Sequence, residues 1–111
     1  MMAANDIHAL EALFVPGADN HRAFRNALGS FTTGVTVVTA TTSDGPIGMT
    51  VNSFASVSLD PPLVVWSLSR NSSSLATIQQ CDRYVIQVLA ADQMMFAQRF
   101  SKGTAAERFD A

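Results

Sequence analysis

Charge is scarce in this chain, cysteine almost absent, and long apolar runs missing altogether. Charged residues are 14% of the 111 positions, and the formal net charge is −2. The seven Lys and Arg are scattered along the chain. Neutralising a phosphate backbone needs clustered cations, so composition points away from nucleic acid. The single cysteine, Cys81, supports neither a disulfide framework nor a thiolate zinc site. No His or Asn pattern accompanies it, so it reads as a small packed residue and not as a nucleophile. His8 and His21 have no acid or ligand partner at useful spacing. No apolar run approaches the roughly 20 residues that cross a bilayer. The opening MMAANDIHALEAL lacks the basic start and apolar core of a signal peptide. These absences lead to the expectation of a cytoplasmic protein with no membrane role.

What is present is a hydrophobic fraction of 48%, enough for one folded domain. The chain is organised around GMTVNSFASVSLDPPLVVWSL, residues 48–68. Read as an extended strand, Met49, Val51, Ala55, Val57 and Leu59 share one face, with Ser53 among them. Thr50, Asn52, Ser56 and Ser58 share the other, with Phe54. A row of hydroxyls and one amide is what an uncharged polar ligand edge needs. Alternation alone is explained more simply by a face that meets water. Asn52 and Ser53 are weak strand formers and mark a bend or bulge. Pro61-Pro62 should stop the strand.

Taken in order, Ile7, Leu10, Leu13 and Phe14 lie on one helical face, closed by Pro16-Gly17. Residues 1–18 therefore read as an arm, and 19–111 as the domain. A helix is expected from Asn20 to Leu28, capped by Asp19 or Asn20 and ended by Gly29. Gly34–Thr42 should be a strand, and the turn Ser43-Asp44-Gly45-Pro46 should make it a hairpin with the next. Leu63–Trp66 is apolar on both faces, as in a strand covered on both sides. Arg70-Asn71-Ser72-Ser73-Ser74 opens a helix of about eight residues, SSLATIQQ, with Asn71 or Ser72 as its N-cap. Two readings of the serines stand side by side: ordinary capping, and a phosphate held at free N–H groups with Arg70 nearby. Tyr84–Ala90 is a further, mostly buried strand. Asp92 should cap a helix in which Phe96 stacks on Phe100 at i, i+4 and Met94 and Met95 fill core space. Thr104-Ala-Ala-Glu107 has the form of a capping box.

Four strands, or five if the long stretch bends, interleave with short helices and hairpin turns. A mostly antiparallel sheet or barrel is expected, mainly β with flanking helices. So few strands leave edges unpaired. The chain accordingly reads as the N-terminal portion of a longer domain.

FRNALGSFTTGVTVVTA (24–40), residues 48–68, RNSSS (70–74) and QRFSKG (98–103) together resemble the flavin reductase family, the small FMN-binding split-barrel reductases of two-component monooxygenases. The resemblance implies a Greek-key split β-barrel, incomplete at the C-terminus, because family members continue with further strands after this point. It implies a homodimeric NAD(P)H:flavin oxidoreductase that binds FMN or FAD, uses NADH or NADPH, and supplies reduced flavin to a monooxygenase. A flavin-binding module or fragment without turnover is the alternative. By the same resemblance, Thr50, Val51, Asn52 and Ser53 meet the ring edge and ribityl chain. Ser56, Val57 and Ser58 continue along ribityl and phosphate, while Val35 and Thr36 border the ring. Lys102 is the stronger charged candidate for the phosphate, with Ser72 and Arg70 weaker. Hydride transfer belongs to the two cofactors, so no catalytic side chain is required.

Overall fold

The computed structural model describes residues 14–110, which divide into two compact units, one ending at Thr32 and one starting at Thr33. Of the expected N-terminal arm, residues 1–13 lie outside the described residues. In the first unit a single 3-10 turn, Ala18–Asn20, leads into helix α1, His21–Gly29. Neither expected cap forms as such. Asn20 instead folds back, its Oδ1 accepting from the Gly17 N–H at 2.8 Å and its Nδ2 donating to the Val15 carbonyl at 2.9 Å. Gly29 is the last helical residue, and Ser30 closes the helix in right-handed geometry, so no glycine-specific cap is needed.

The second unit contains β1 (Thr36–Thr42), β2 (Gly45–Val51), β3 (Ala55–Leu59), β4 (Pro62–Val65), α2 (Leu75–Gln79), β5 (Val85–Val88), α3 (Met94–Arg99) and α4 (Ala105–Phe109). β1 is the centre of a three-stranded antiparallel sheet, β2-β1-β5, and β3 and β4 form a separate hairpin. The β1–β2 turn is the expected one. Thr42 pairs with Gly45 across Ser43-Asp44, and Gly45 holds φ +113°, a conformation that favours glycine.

The long organising stretch is two strands, not one. It leaves β2 at Val51, bends through residues 52–54, and re-enters a different sheet as β3. Its apolar set is therefore split. Met49 and Val51 are buried, whereas Val57 and Leu59 are exposed. Pro61 and Pro62 do not simply stop the strand. A cis Asp60–Pro61 bond lies in the turn, and Pro62 begins β4, where its missing N–H suits the first position. Pairing slips between Ser56 and Ser58, so Val57 is the extra residue of a bulge.

The core lies on one face of the larger sheet. Val38, Met49 and Val51 are buried there, with Ile47, Trp66, Leu68, Ile78 and Ile86 packed around them. Trp66 meets Tyr84 edge to face at 5.6 Å. On the opposite face α4 packs on β2 and α3 on β1. Phe100 and Phe109 form a T-shaped pair at 5.1 Å directly over Gly48. A methyl group at Gly48 would lie 2.8 Å from Phe100 Cε1 and 3.0 Å from Phe109 Cζ.

Several sequence expectations are corrected here. Leu63, Val64 and Val65 are 44–49% exposed because no second layer among the described residues covers β4, and Val85 and Val88 are also exposed although Ile86 between them packs on the core. Met94 and Met95 face outward and fill no core. Phe100 pairs with Phe109 instead of Phe96, since residue 100 follows the end of α3 and turns toward β2. Asp92 caps nothing. The turn before α3 is closed by Gln93, whose Oε1 accepts from the Ala90 N–H at 2.8 Å. Helix α2 has five residues, and its N-cap is Ser74, not Asn71 or Ser72. Thr104 caps α4 as expected, accepting from the Glu107 N–H at 3.3 Å.

Candidate functional site

The sequence-predicted residues fall in three places. The first is the bend between β2 and β3. The Asn52 carbonyl accepts from the Thr33 hydroxyl at 3.2 Å. Ser53 Oγ accepts from the Ser67 N–H at 2.8 Å and donates to the Ser67 carbonyl at 3.3 Å. The first bond ties the bend to the chain before β1, and the other two tie it to the segment after β4. Among the described residues, the Asn52 carboxamide and the amide groups of Ser53 and Phe54 make no hydrogen bond. Polar groups normally find partners. A row of them at one exposed bend is a binding edge or a hydrated one.

Around this bend, neighbouring side chains are committed to the scaffold. Thr36 is buried and donates its hydroxyl to the Val51 carbonyl at 2.8 Å. Val51 is a core residue. Thr50 donates its hydroxyl to the Ala97 carbonyl at 2.6 Å and its N–H to the Phe100 carbonyl at 3.0 Å, tying β2 to the end of α3. Val35 is half-buried, and its carbonyl accepts from the Leu89 N–H at 3.0 Å. Thr36, Thr50 and Val51 thus shape the bend, and Asn52 is the side chain there with hydrogen-bonding capacity to spare.

The second place is β3, where Ser56 and Val57 are exposed and Ser58 is half-buried. The bulge at Val57 interrupts the alternation expected of this strand. The third is where the serine loop meets the turn after α3. Ser73, Ser74, Thr77, Gly103, Thr104 and Arg108 line a cavity of about 210 Å³ beside Ile47 and Gly48. Ser72 is not part of this lining, and its hydroxyl accepts from the Ser74 N–H at 3.2 Å. Lys102 contributes its backbone carbonyl to Arg108 Nε at 2.9 Å, and its side chain is absent from the lining.

Arg108 is the one charged side chain lining this cavity, and sequence reasoning assigned it no role. Its signal was weak: one basic residue in the last turn of a short helix, among seven scattered cations. A larger open groove of about 860 Å³ lies on the helix-bearing face, lined by Val37, Thr39, Val85, Gln87, Phe96 and Phe100 among others. It contains none of the sequence-predicted residues. Among the described residues no cluster of three His, Cys, Asp or Glu could hold a metal, and no helix is long and apolar enough to cross a membrane.

The edge at residues 52–54 offers N–H groups and a carboxamide with no carboxylate, a donor set that suits the carbonyl and N–H edge of an isoalloxazine ring. Comparison with known proteins gives this chemistry a context. Residues 28–111 match the flavin reductase like domain family, and the chain belongs to it. It is 62% identical over 92 residues to FMN reductase (NADH) SmoA of Agrobacterium fabrum, covering 83% of this chain and 53% of that protein. It is 45% identical over 82 residues to the reductase component of the flavin-dependent trigonelline monooxygenase of Acinetobacter baylyi, covering 73% of this chain and 26% of that one. Among solved structures, the Streptomyces globisporus NADH:FAD oxidoreductase SgcE6, in complex with NAD and FAD fragments, superposes with a TM-score of 0.78 at 35% identity, over 88% of this chain and 58% of that chain. The chain therefore spans about half the length of SmoA and of SgcE6. The two open sheets are strands of the split-barrel fold shared with these reductases, and neither sheet closes among the described residues.

Proposed function

We propose that the chain carries the flavin-binding part of an NAD(P)H-dependent flavin oxidoreductase. FMN binds with its ring edge at residues 52–54, its ribityl chain along Ser56–Ser58, and its phosphate toward Ser72 and the turn at Lys102. FMN and NADH are favoured by the name of the SmoA relative, and FAD is supported by the SgcE6 complex. The observation that carries the reading is the bend itself. Thr33 and Ser53 bond across it, leaving the Ser53 and Phe54 amides and the Asn52 carboxamide without partners among the described residues. The bound flavin supplies the hydride chemistry, and this chain's residues bind and orient it.

Release of reduced flavin to a monooxygenase is part of the proposal and is supported by the trigonelline relative's name. A homodimer belongs to it too. The exposed Leu63, Val64 and Val65 of β4 supply apolar surface that a second copy could cover, and light scattering would measure the assembly. A cytoplasmic location, and residues 19–111 as the flavin-reductase-like domain, complete the reading.

Flavin fluorescence quenching on titration with FMN, followed by NADH oxidation with and without free FMN, tests it. Saturable quenching and FMN-dependent NADH consumption are expected. Absence of quenching at high FMN would end the proposal. Residue by residue, Asn52→Ala should weaken FMN binding about fivefold, the worth of one net hydrogen bond, with unchanged unfolding. Ser53→Ala should instead lower stability by about 1 kcal/mol, because it removes the tether to Ser67.

A further inference from the structure

The three-stranded sheet ends in two edges, β2 and β5, and the chain treats them differently. Antiparallel pairing alternates, so every second residue of an edge strand turns its N–H and C=O away from its neighbour. On β2 the outward residues include Gly48 and Thr50. The Thr50 N–H donates to the Phe100 carbonyl at 3.0 Å, and the Gly48 carbonyl accepts from Arg108 Nη1 at 2.7 Å. These contacts place the end of α3 and the arginine of α4 across that edge. On β5 the Leu89 N–H donates to the Val35 carbonyl at 3.0 Å, which turns Val85 and Gln87 toward β1 and Ile86 and Val88 outward. The outward N–H and C=O groups of Ile86 and Val88 have no partner among the described residues. Edge strands are normally blunted by charge, proline, a bulge or a covering segment. Tyr84–Ala90 has neither charge nor proline, and its register with β1 is unbroken. Beside this edge lies the open groove of about 860 Å³. Val37 and Thr39 pair across the strands with Gln87 and Val85, and Phe96 and Phe100 line the same groove. Arg83, two residues before β5, is the one charged residue in its lining, and no carboxylate joins it.

We propose that this edge and groove take an extended, uncharged segment of another polypeptide, added antiparallel to β5 with its C-terminal carboxylate at Arg83. The outward backbone groups of Ile86 and Val88 supply the strand pairing, and the groove takes every second side chain of the added strand. The charge fixes the direction. β5 runs away from Arg83, so an antiparallel partner runs toward it and delivers its carboxylate to the guanidinium. A parallel partner would bring its ammonium group there instead. The groove shares no residue with the bend at residues 52–54, so the inference stands apart from the flavin reading.

The probe is a short peptide of alternating Val and Thr, labelled with fluorescein at its N-terminus and free at its C-terminus. Fluorescence polarisation against the full chain should show saturable binding, with new hydrogen-exchange protection at the Ile86 and Val88 amides. Amidating the peptide's C-terminus should weaken binding about fivefold, the upper size of an exposed ion pair. Arg83→Gln should bring the free acid down to the level of the amide and leave the amide unchanged. Val88→Pro, at an exposed edge position whose N–H points outward, should keep the fold and lower affinity about tenfold. Should Val88→Pro fail to fold, N-methylation of the peptide at alternate residues removes the same pairing from the other side. Methylating one alternate set should abolish binding, and methylating the other should leave it nearly unchanged. Equal effects of the two sets, or no protection at Ile86 and Val88, would overturn strand addition. Equal affinity for acid and amide, or equal loss of both in Arg83→Gln, would overturn the assigned direction. Absence of saturable binding by the free acid would overturn the whole proposal. So would protection of both amides in the free chain together with concentration-dependent light scattering, which would show the edge already taken by a second copy.

Discussion

The three-stranded sheet and the β3–β4 hairpin contain similar residues and treat them in opposite ways. Val38 of β1 is fully buried, whereas Val57 of β3 is 57% exposed and Val65 of β4 is 49% exposed. Propensity does not separate them, since both regions are rich in Val and Ser or Thr. Cover separates them. One face of the larger sheet is covered by Trp66, Leu68 and Ile78, and part of the other by α3 and α4. The hairpin has no such layer among the described residues. The lesson is a division of labour within one stretch of sequence. Residues up to Val51 build the scaffold, and residues from Asn52 to Ser58 present groups to whatever lies beyond it.

That division makes graded predictions. The largest effect should come from the core of the sheet. Val38→Ala should cost about 2–3 kcal/mol in urea unfolding, from lost apolar burial and the cavity left behind. A loss no greater than that of a hairpin substitution would break the comparison. A smaller but clear effect is expected at Gly48. Gly48→Ala should cost about 1–2 kcal/mol in thermal unfolding, because its methyl would press on the Phe100–Phe109 pair where α3 and α4 meet β2. Wild-type stability in that variant would mean the ring pair is loosely held. At the low end, Val57→Thr on the bulge should change stability by no more than about 0.5 kcal/mol, as exposed positions usually do. A cost above 1 kcal/mol would show that the hairpin is covered in solution, which is also what the proposed homodimer would produce at high protein concentration.

Much of the local structure was legible because its causes are local. The hairpin at Ser43–Pro46 follows from turn residues, and a glycine sits where φ is +113°. The bend at Asn52 and Ser53 follows from two weak strand formers in a row. Thr104 and Glu107 mark a helix start through a bond three residues long. The misjudged features depend on distant partners. Leu63–Val65 and Tyr84–Ala90 carry the hydrophobic pattern of covered strands, but pattern records what a strand can bury and not what is present to bury it. Phe96 has the helical spacing to meet Phe100, yet Phe100 lies past the end of α3 and finds Phe109 instead. Ser53 resembles a ligand contact in sequence, and its hydroxyl is used by Ser67, fourteen residues on.

By itself the sequence determined where strands begin and turn, that the long organising stretch is polar on one side and uncharged, and which family its motifs resemble. Those are properties of neighbouring residues and of periodicity. Only the tertiary structure decided which polar groups remain available to a ligand. It committed Thr36, Thr50 and Ser53 to carbonyls elsewhere in the fold, and left the Asn52 carboxamide and the amides beside it unpaired among the described residues. It also brought Arg108 across sixty residues to Gly48 and set it among the serines of a separate loop. Hydrogen-bond partnership is a matter of distances within a few ångströms, and such distances between remote residues exist only once the chain has folded.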